Sequence, residues 1–163
     1  MSLIPVMNAR AGWAVALSLV ACHLLAVTAP AQDSERPVQM KDLPRAVRAT
    51  VGELGRGAVV RGLSREVDNG QTFYEVALKV NGRNRDVLID AAGGVVEIEE
   101  RVTLAELPPA AMAEIVRRAG KGKVLLVESI TRNNAIMAYE AHVKTAGKIS
   151  EIKVDPDGKP LAP

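Results

Sequence analysis

Apolar residues occupy alternate positions through two stretches near the middle of the chain, Thr72–Val80 and Arg85–Asp90. A period of two marks a strand with one buried face and one wet face. Tyr74, Val76, Leu78 and Val80 are thus expected inward, and Phe73, Glu75, Ala77 and Lys79 outward. Val87 and Ile89 are the inward pair of the next strand. Val59, Val60, Leu63 and Val67 predict an earlier strand over 58–67, with Gly62 placed for a bend or bulge, and Val96 and Ile98 predict a later one over 95–102. Asp68-Asn69-Gly70, Asn81-Gly82 and Ala91–Gly94 separate these runs with turn residues. The period changes only ahead of them. Val47, Val51 and Leu54, at i, i+4 and i+7, form the buried stripe of a helix opened by Asp42-Leu43-Pro44 and ended by Gly55–Gly57.

The same order returns. Tyr139-Glu140, Val143, Gly147, Ile152, Val154, Asp155 and Gly158 follow Tyr74-Glu75, Leu78, Gly82, Val87, Ile89, Asp90 and Gly93 at a constant offset of 65. Thr103–Glu106 matches a capping pattern and predicts a short turn. A helix over 109–119 is expected to bury Met112, Ile115 and Val116, and strands are expected over 123–131, 136–145 and 148–155. The expected fold class is α+β. It consists of two similar units, 42–102 and 103–163, each one helix followed by three to four antiparallel strands, with the helices packed on one face of the sheet. One continuous sheet is preferred over two sheets side by side, because a lone small sheet with one helix is marginal.

The N-terminus adds a destination. Arg10 precedes an apolar run over 11–28, and Ala29-Pro30-Ala31 ends it with the small residues a signal peptidase accepts. Residues 1–31 read as an export signal and 32–41 as a flexible leader. The run is shorter than the roughly 20 residues a spanning helix needs. An alternative is Leu19-Val20-Ala21-Cys22, which resembles a lipobox and would leave a lipid anchor on Cys22. Otherwise no membrane association is expected, and the location is periplasmic or secreted.

Removal of the signal changes the chemistry. The chain's one Cys, its one Trp and one of its two His fall within it, so residues 32–163 retain only His142 from that set. No thiol nucleophile, thiolate metal site or disulfide is then available, and one His cannot build a multi-histidine zinc site. Taking Arg10 from the 21 basic residues leaves 20 against 19 acidic. That balance, with both signs interspersed, gives no basic footprint for nucleic acid. Catalytic fingerprints are missing from the sequence, no cofactor is expected, and no signal of oligomeric state is present.

Leu-Pro opening a helix, a Tyr-Glu-Val strand (Tyr74-Glu75-Val76), a Gly turn and an Asp-x-x-Gly turn resemble the PepSY-like domains of exported bacterial proteins. The paired arrangement is similar to the PepSY-like group likened to beta-lactamase inhibitor protein. The resemblance covers residues 41–161. It implies a non-catalytic envelope protein that binds, and in some cases inhibits or regulates, a protein partner such as a peptidase or other hydrolase. The shared positions are turns and core, so it implies no binding residue.

The candidate partner surface comes from strand alternation instead. Phe73, Glu75 and Lys79 from the first set of strands, and Glu140, His142 and Lys144 from the second, share the outward face with Ala77 and Ala138. Asp86, Asp90, Glu97, Glu99 and Glu100 read as solvated strand positions. Asp155-Pro156-Asp157-Gly158 resembles the start of a calcium loop, but no later Glu completes it and a Pro-Asp-Gly turn accounts for it. The alternative function is a sensor that holds a small ligand or peptide in a cleft between the two units.

Overall fold

The computed structural model describes residues 34–68 and 70–162. The export signal, Cys22 and Asn69 lie outside them. The chain forms, in order, β1 (Ser34–Pro37), α1 (Arg45–Leu54), β2 (Val59–Asp68), β3 (Gln71–Val80), β4 (Arg83–Asp90) and β5 (Val95–Arg101). It continues with α2 (Pro109–Ala119), β6 (Lys123–Arg132), β7 (Ala135–Thr145), β8 (Lys148–Val154) and β9 (Pro160–Leu161). Single turns of 3-10 helix, Met40–Asp42 and Leu104–Glu106, precede the two helices.

The expected two-unit α+β architecture is overturned by the sheet. All nine described strands lie in one antiparallel sheet in sequence order, and the two helices contribute only 10 and 11 residues beside it. The reason lies at the proposed boundary. β5 and β6 pair through Ile98↔Thr131, Glu99↔Ile130, Glu100↔Ser129 and Arg101↔Glu128, so one ladder joins strands on either side of the expected boundary. Ser34–Pro37, expected in the flexible leader, pairs with β2, and Pro160–Leu161 pairs with β8.

Two apolar clusters lie on one side of this sheet. Val47 and Val51 of α1 join Leu43, Val76, Leu78, Val87 and Ile89. Ala111 and Ile115 of α2 join Leu107, Val127, Tyr139, Ala141, Val143, Ile152 and Val154. The stripe of α2 is therefore rotated from the expected one: Met112 and Val116 are exposed and Ala111 is buried. Small Ala111 lets the helix backbone approach the sheet, which turns the larger neighbours outward. Gly62 marks a bulge in the β2–β3 ladder, as its place in the sequence predicted.

Two turns fix the helices to the sheet. Between β4 and β5, Asp90 Oδ1 accepts the Gly94 N–H at 2.8 Å, and Gly93 sits at φ +88° with Ala46 of α1 directly above it. Thr50 of α1 donates its hydroxyl to the Gly93 carbonyl at 2.7 Å. Between β8 and β9, Asp155 Oδ1 accepts the Asp157 and Lys159 N–H groups at 3.0 and 2.8 Å, and Gly158 lies under Ala110 of α2. The Asp155 carboxylate thus serves the turn.

A Cβ at Gly93 would stand 2.9 Å from the Ala46 carbonyl carbon, whereas one at Gly82 (φ +83°) would meet nothing within 4 Å. Gly93→Ala combines backbone strain with a clash and is expected to cost about 2–4 kcal/mol. Gly82→Ala carries strain alone, about 1 kcal/mol. Urea melts of the two variants check the order; equal losses would show that the helix contact at Gly93 contributes nothing.

Candidate partner-binding face

The sheet side opposite the two apolar clusters carries no helix among the described residues. Directly opposed residues of antiparallel strands share a face, so its rows follow from the register. Ser64, Glu75, Leu88 and Glu97 form one row across β2–β5. Asp86, Glu99, Ile130 and Ala138 belong to another, and Arg101, Glu128, Glu140 and Lys153 to a third.

Of the six residues expected on this surface, Glu75 and Glu140 stand in these rows, and Phe73, Lys79, His142 and Lys144 lie at alternate positions of the same two strands, but the two groups do not meet. Phe73, Glu75 and Lys79 are on β3, and Glu140, His142 and Lys144 on β7, with three strands between them. Four interstrand steps of about 4.8 Å put the two groups roughly 19 Å apart along the sheet. Lys79 and Lys144 are exposed, while Phe73, Glu75, Glu140 and His142 are half-buried.

The carboxylates between them do not have the solvated surroundings that strand alternation predicts. Asp86, Glu97 and Glu99 are half-buried, and Ile130 and Ala138 are only 5% and 4% exposed without belonging to either helix-side cluster. The physical cause is curvature. Eight strand-to-strand steps of about 20–25° accumulate roughly half a turn of twist, and the bulges at Leu88/Ile89 and Ile130/Thr131 add local bending. The bending brings side chains of neighbouring strands together over the sheet and excludes water from its middle.

Burial reshapes the electrostatics. Loss of hydration, aided by the nearby Asp86, Glu35 and Glu66, pushes the Glu75 carboxyl up to about 7. The Glu99 carboxyl is also pushed up to about 7, first by burial and then by Glu97, Glu128 and Glu140. Burial raises Asp86 and Glu128 as well. Some of the charge is neutralised in place: Arg132 pairs with Glu97, and Lys153 reaches Glu140 Oε2 at 2.7 Å. Ser64 Oγ, beside Glu75 in the register, is buried with no hydrogen-bond partner among the described residues. A shallow hollow of about 400 Å³ lies between Phe73, Leu88, Val96, Glu97 and Arg132.

Chemically the face can present carboxyl groups that change between proton donor and anion near neutral pH. His142 has Leu126 and Glu151 as its cross-strand neighbours, so no hydroxyl nucleophile stands beside it in the register. Glu140, His142 and Glu151 bring three groups able to ligate a metal within 4.8 Å of one another. The sequence carries one signal of these half-buried carboxylates. Apolar residues, Leu88, Ile130 and Ala138, interrupt the wet positions of central strands.

No family model matches the chain, and no curated protein matches it either. Solved structures do. A Bacteroides eggerthii protein described as a candidate periplasmic protein aligns with TM-score 0.62 and 18% identity over 74% of this chain and 86% of its own. A DUF2874 family protein from Bacteroides uniformis aligns with TM-score 0.60 and 20% identity over 73% and 86%. A BLIP-like protein from Bacteroides fragilis aligns with TM-score 0.56 and 19% identity over 74% and 84%. The chain has the BLIP-like fold. No helix among the described residues is long and apolar enough to cross a membrane.

The raised carboxyls make stability depend on pH. Glu75 has an ordinary value of 4.5 and one of about 7 in the folded chain, so between these values the folded chain binds more protons than the unfolded one. Its contribution to stability therefore falls as pH rises from about 4.5 to about 7. Glu75→Gln, neutral throughout, is expected to raise the melting temperature at pH 8 and to change it little at pH 4. Calorimetry at both values tests this, and an equal effect at the two would refute it.

Proposed function

We propose that this protein is a non-catalytic, exported binding module that engages a protein partner through the helix-free face of its sheet. The observation that carries the proposal is the face itself. It is curved and part apolar, it holds half-buried carboxyls and an unsatisfied Ser64 hydroxyl, and no helix among the described residues covers it. Apolar positions interleaved with polar ones suit a protein interface, in which a desolvated centre is surrounded by a polar rim. Phe73 and Leu88 offer apolar contact beside Glu75, and exposed Lys79 and Lys144 lie toward the rim. The BLIP-like neighbour supports inhibition of an envelope hydrolase as the form this binding takes, and the Ala-x-Ala signal supports a periplasmic or secreted location. Phe73, Glu75, Lys79, Glu140, His142 and Lys144 are the proposed contact residues. The ligand-sensor alternative is not favoured, because β5 and β6 are hydrogen-bonded neighbours and the hollow that spans the two halves beside Arg132 is shallow.

The test is capture from an envelope extract with residues 32–163, alongside a Lys79→Glu, Lys144→Glu variant altered only at exposed positions. A hydrolase retained by the natural protein and lost by the variant is the expected result. Hydrogen exchange of the complex should then show protection on β3–β7. Enrichment of nothing above the variant, or protection confined to α1 and α2, would overturn the proposal.

A further inference from the structure

At the β7–β8 end of the open face, Glu140 and His142 stand two residues apart on one strand, and Glu151 lies directly opposite His142 on the next. All three side chains therefore project from the same side of two hydrogen-bonded strands, which fixes their backbones relative to one another. We infer that Glu140, His142 and Glu151 form a zinc site with one coordination position open to solvent.

The geometry carries the inference. Tetrahedral zinc with bonds of about 2.0–2.1 Å places its ligand atoms about 3.4 Å apart. His142 Nε2 and Glu140 Oε1 are separated by 3.3 Å, and all three ligating atoms fall within 4.8 Å of one another. Glu151 is exposed, so its side chain has room to close the remaining distance. The Glu140 carboxylate is already oriented: Lys153 holds Oε2 at 2.7 Å, which leaves Oε1 turned toward His142. That is the arrangement by which an outer partner positions a metal ligand. Glu128, opposite Glu140 on β6, brings a further carboxyl group next to the site.

The donor set selects the ion. Calcium takes six to eight oxygen ligands and magnesium a near-ideal octahedron, whereas one imidazole nitrogen and two carboxylate oxygens suit zinc. A single histidine rules out a multi-histidine zinc site but not one completed by carboxylates. Strand pairing supplies the missing ligands from carboxylates that are 11 residues apart in the chain, Glu140 and Glu151. The site stands independently of the partner-binding reading, since a zinc titration requires no partner.

The test is a zinc chloride titration of the full chain carrying Cys22→Ser and His23→Gln, which makes His142 the sole imidazole. Calorimetry is expected to give one site, and the His142 ring resonances are expected to shift up to one equivalent. His142→Gln and Glu151→Gln should each weaken binding by at least about tenfold. Asp157→Asn, at an exposed carboxylate elsewhere, should leave it unchanged. Circular dichroism of each variant confirms that it is folded. Unmoved ring resonances would overturn the site. So would zinc binding that neither Glu140→Gln nor Glu151→Gln weakens, because that result means a lone surface imidazole.

Discussion

The hydrogen-bonded ladder between β5 and β6 is the constraint on which the rest of this structure depends. Four residue pairs carry the sheet across the place where composition and repetition suggest a boundary. Without them each half would expose an unpaired central edge, and backbone groups left without partners there would each need water or another chain. With them the twist of nine strands accumulates in one object. That accumulated twist, and not any single residue, produces a curved open face with buried side chains at its middle.

Curvature and electrostatics are then linked. Carboxylates on the wet positions of a flat sheet would keep their hydration and their ordinary acidity. Here Glu75, Asp86, Glu99 and Glu128 lie on four adjacent strands and are raised first by loss of water, and then Asp86 disfavours the charge of Glu75 and Glu128, and Glu128 that of Glu99. Arg132 and Lys153 offset this at the margins by pairing with Glu97 and Glu140.

Much of this was legible in the sequence wherever the signal was local. Strand alternation placed β3 and β4, Gly62 located a bulge, and Thr103 and Glu106 marked a capped turn whose Thr103 N–H donates to Glu106 Oε2 at 2.7 Å. Asp90 and Asp155 announced turns that the structure completes with matching side-chain bonds. What could not be read depends on distant parts of the chain. The α2 stripe shifted to Ala111 because Gly158, 47 residues later, sits beneath Ala110 and sets the helix's approach. The grouping of His142 with Glu151 exists only once β7 and β8 are in register, and the half-burial of Glu99 only once β6 lies beside β5. Short-range periodicity says which way a residue points but not how crowded the space is that it points into.

The outermost strands have a further consequence. β1 bears Glu35 and Arg36 and ends on Pro37, and β9 begins with Pro160. Proline has no N–H to give a neighbouring strand, and charged side chains resist close approach of another backbone. Lateral growth of the sheet by an added strand from another molecule is thereby discouraged at both margins. An associating molecule is left to dock broadside against side chains, where shape and charge can discriminate, and not by backbone zippering, in which nearly any extended peptide would serve.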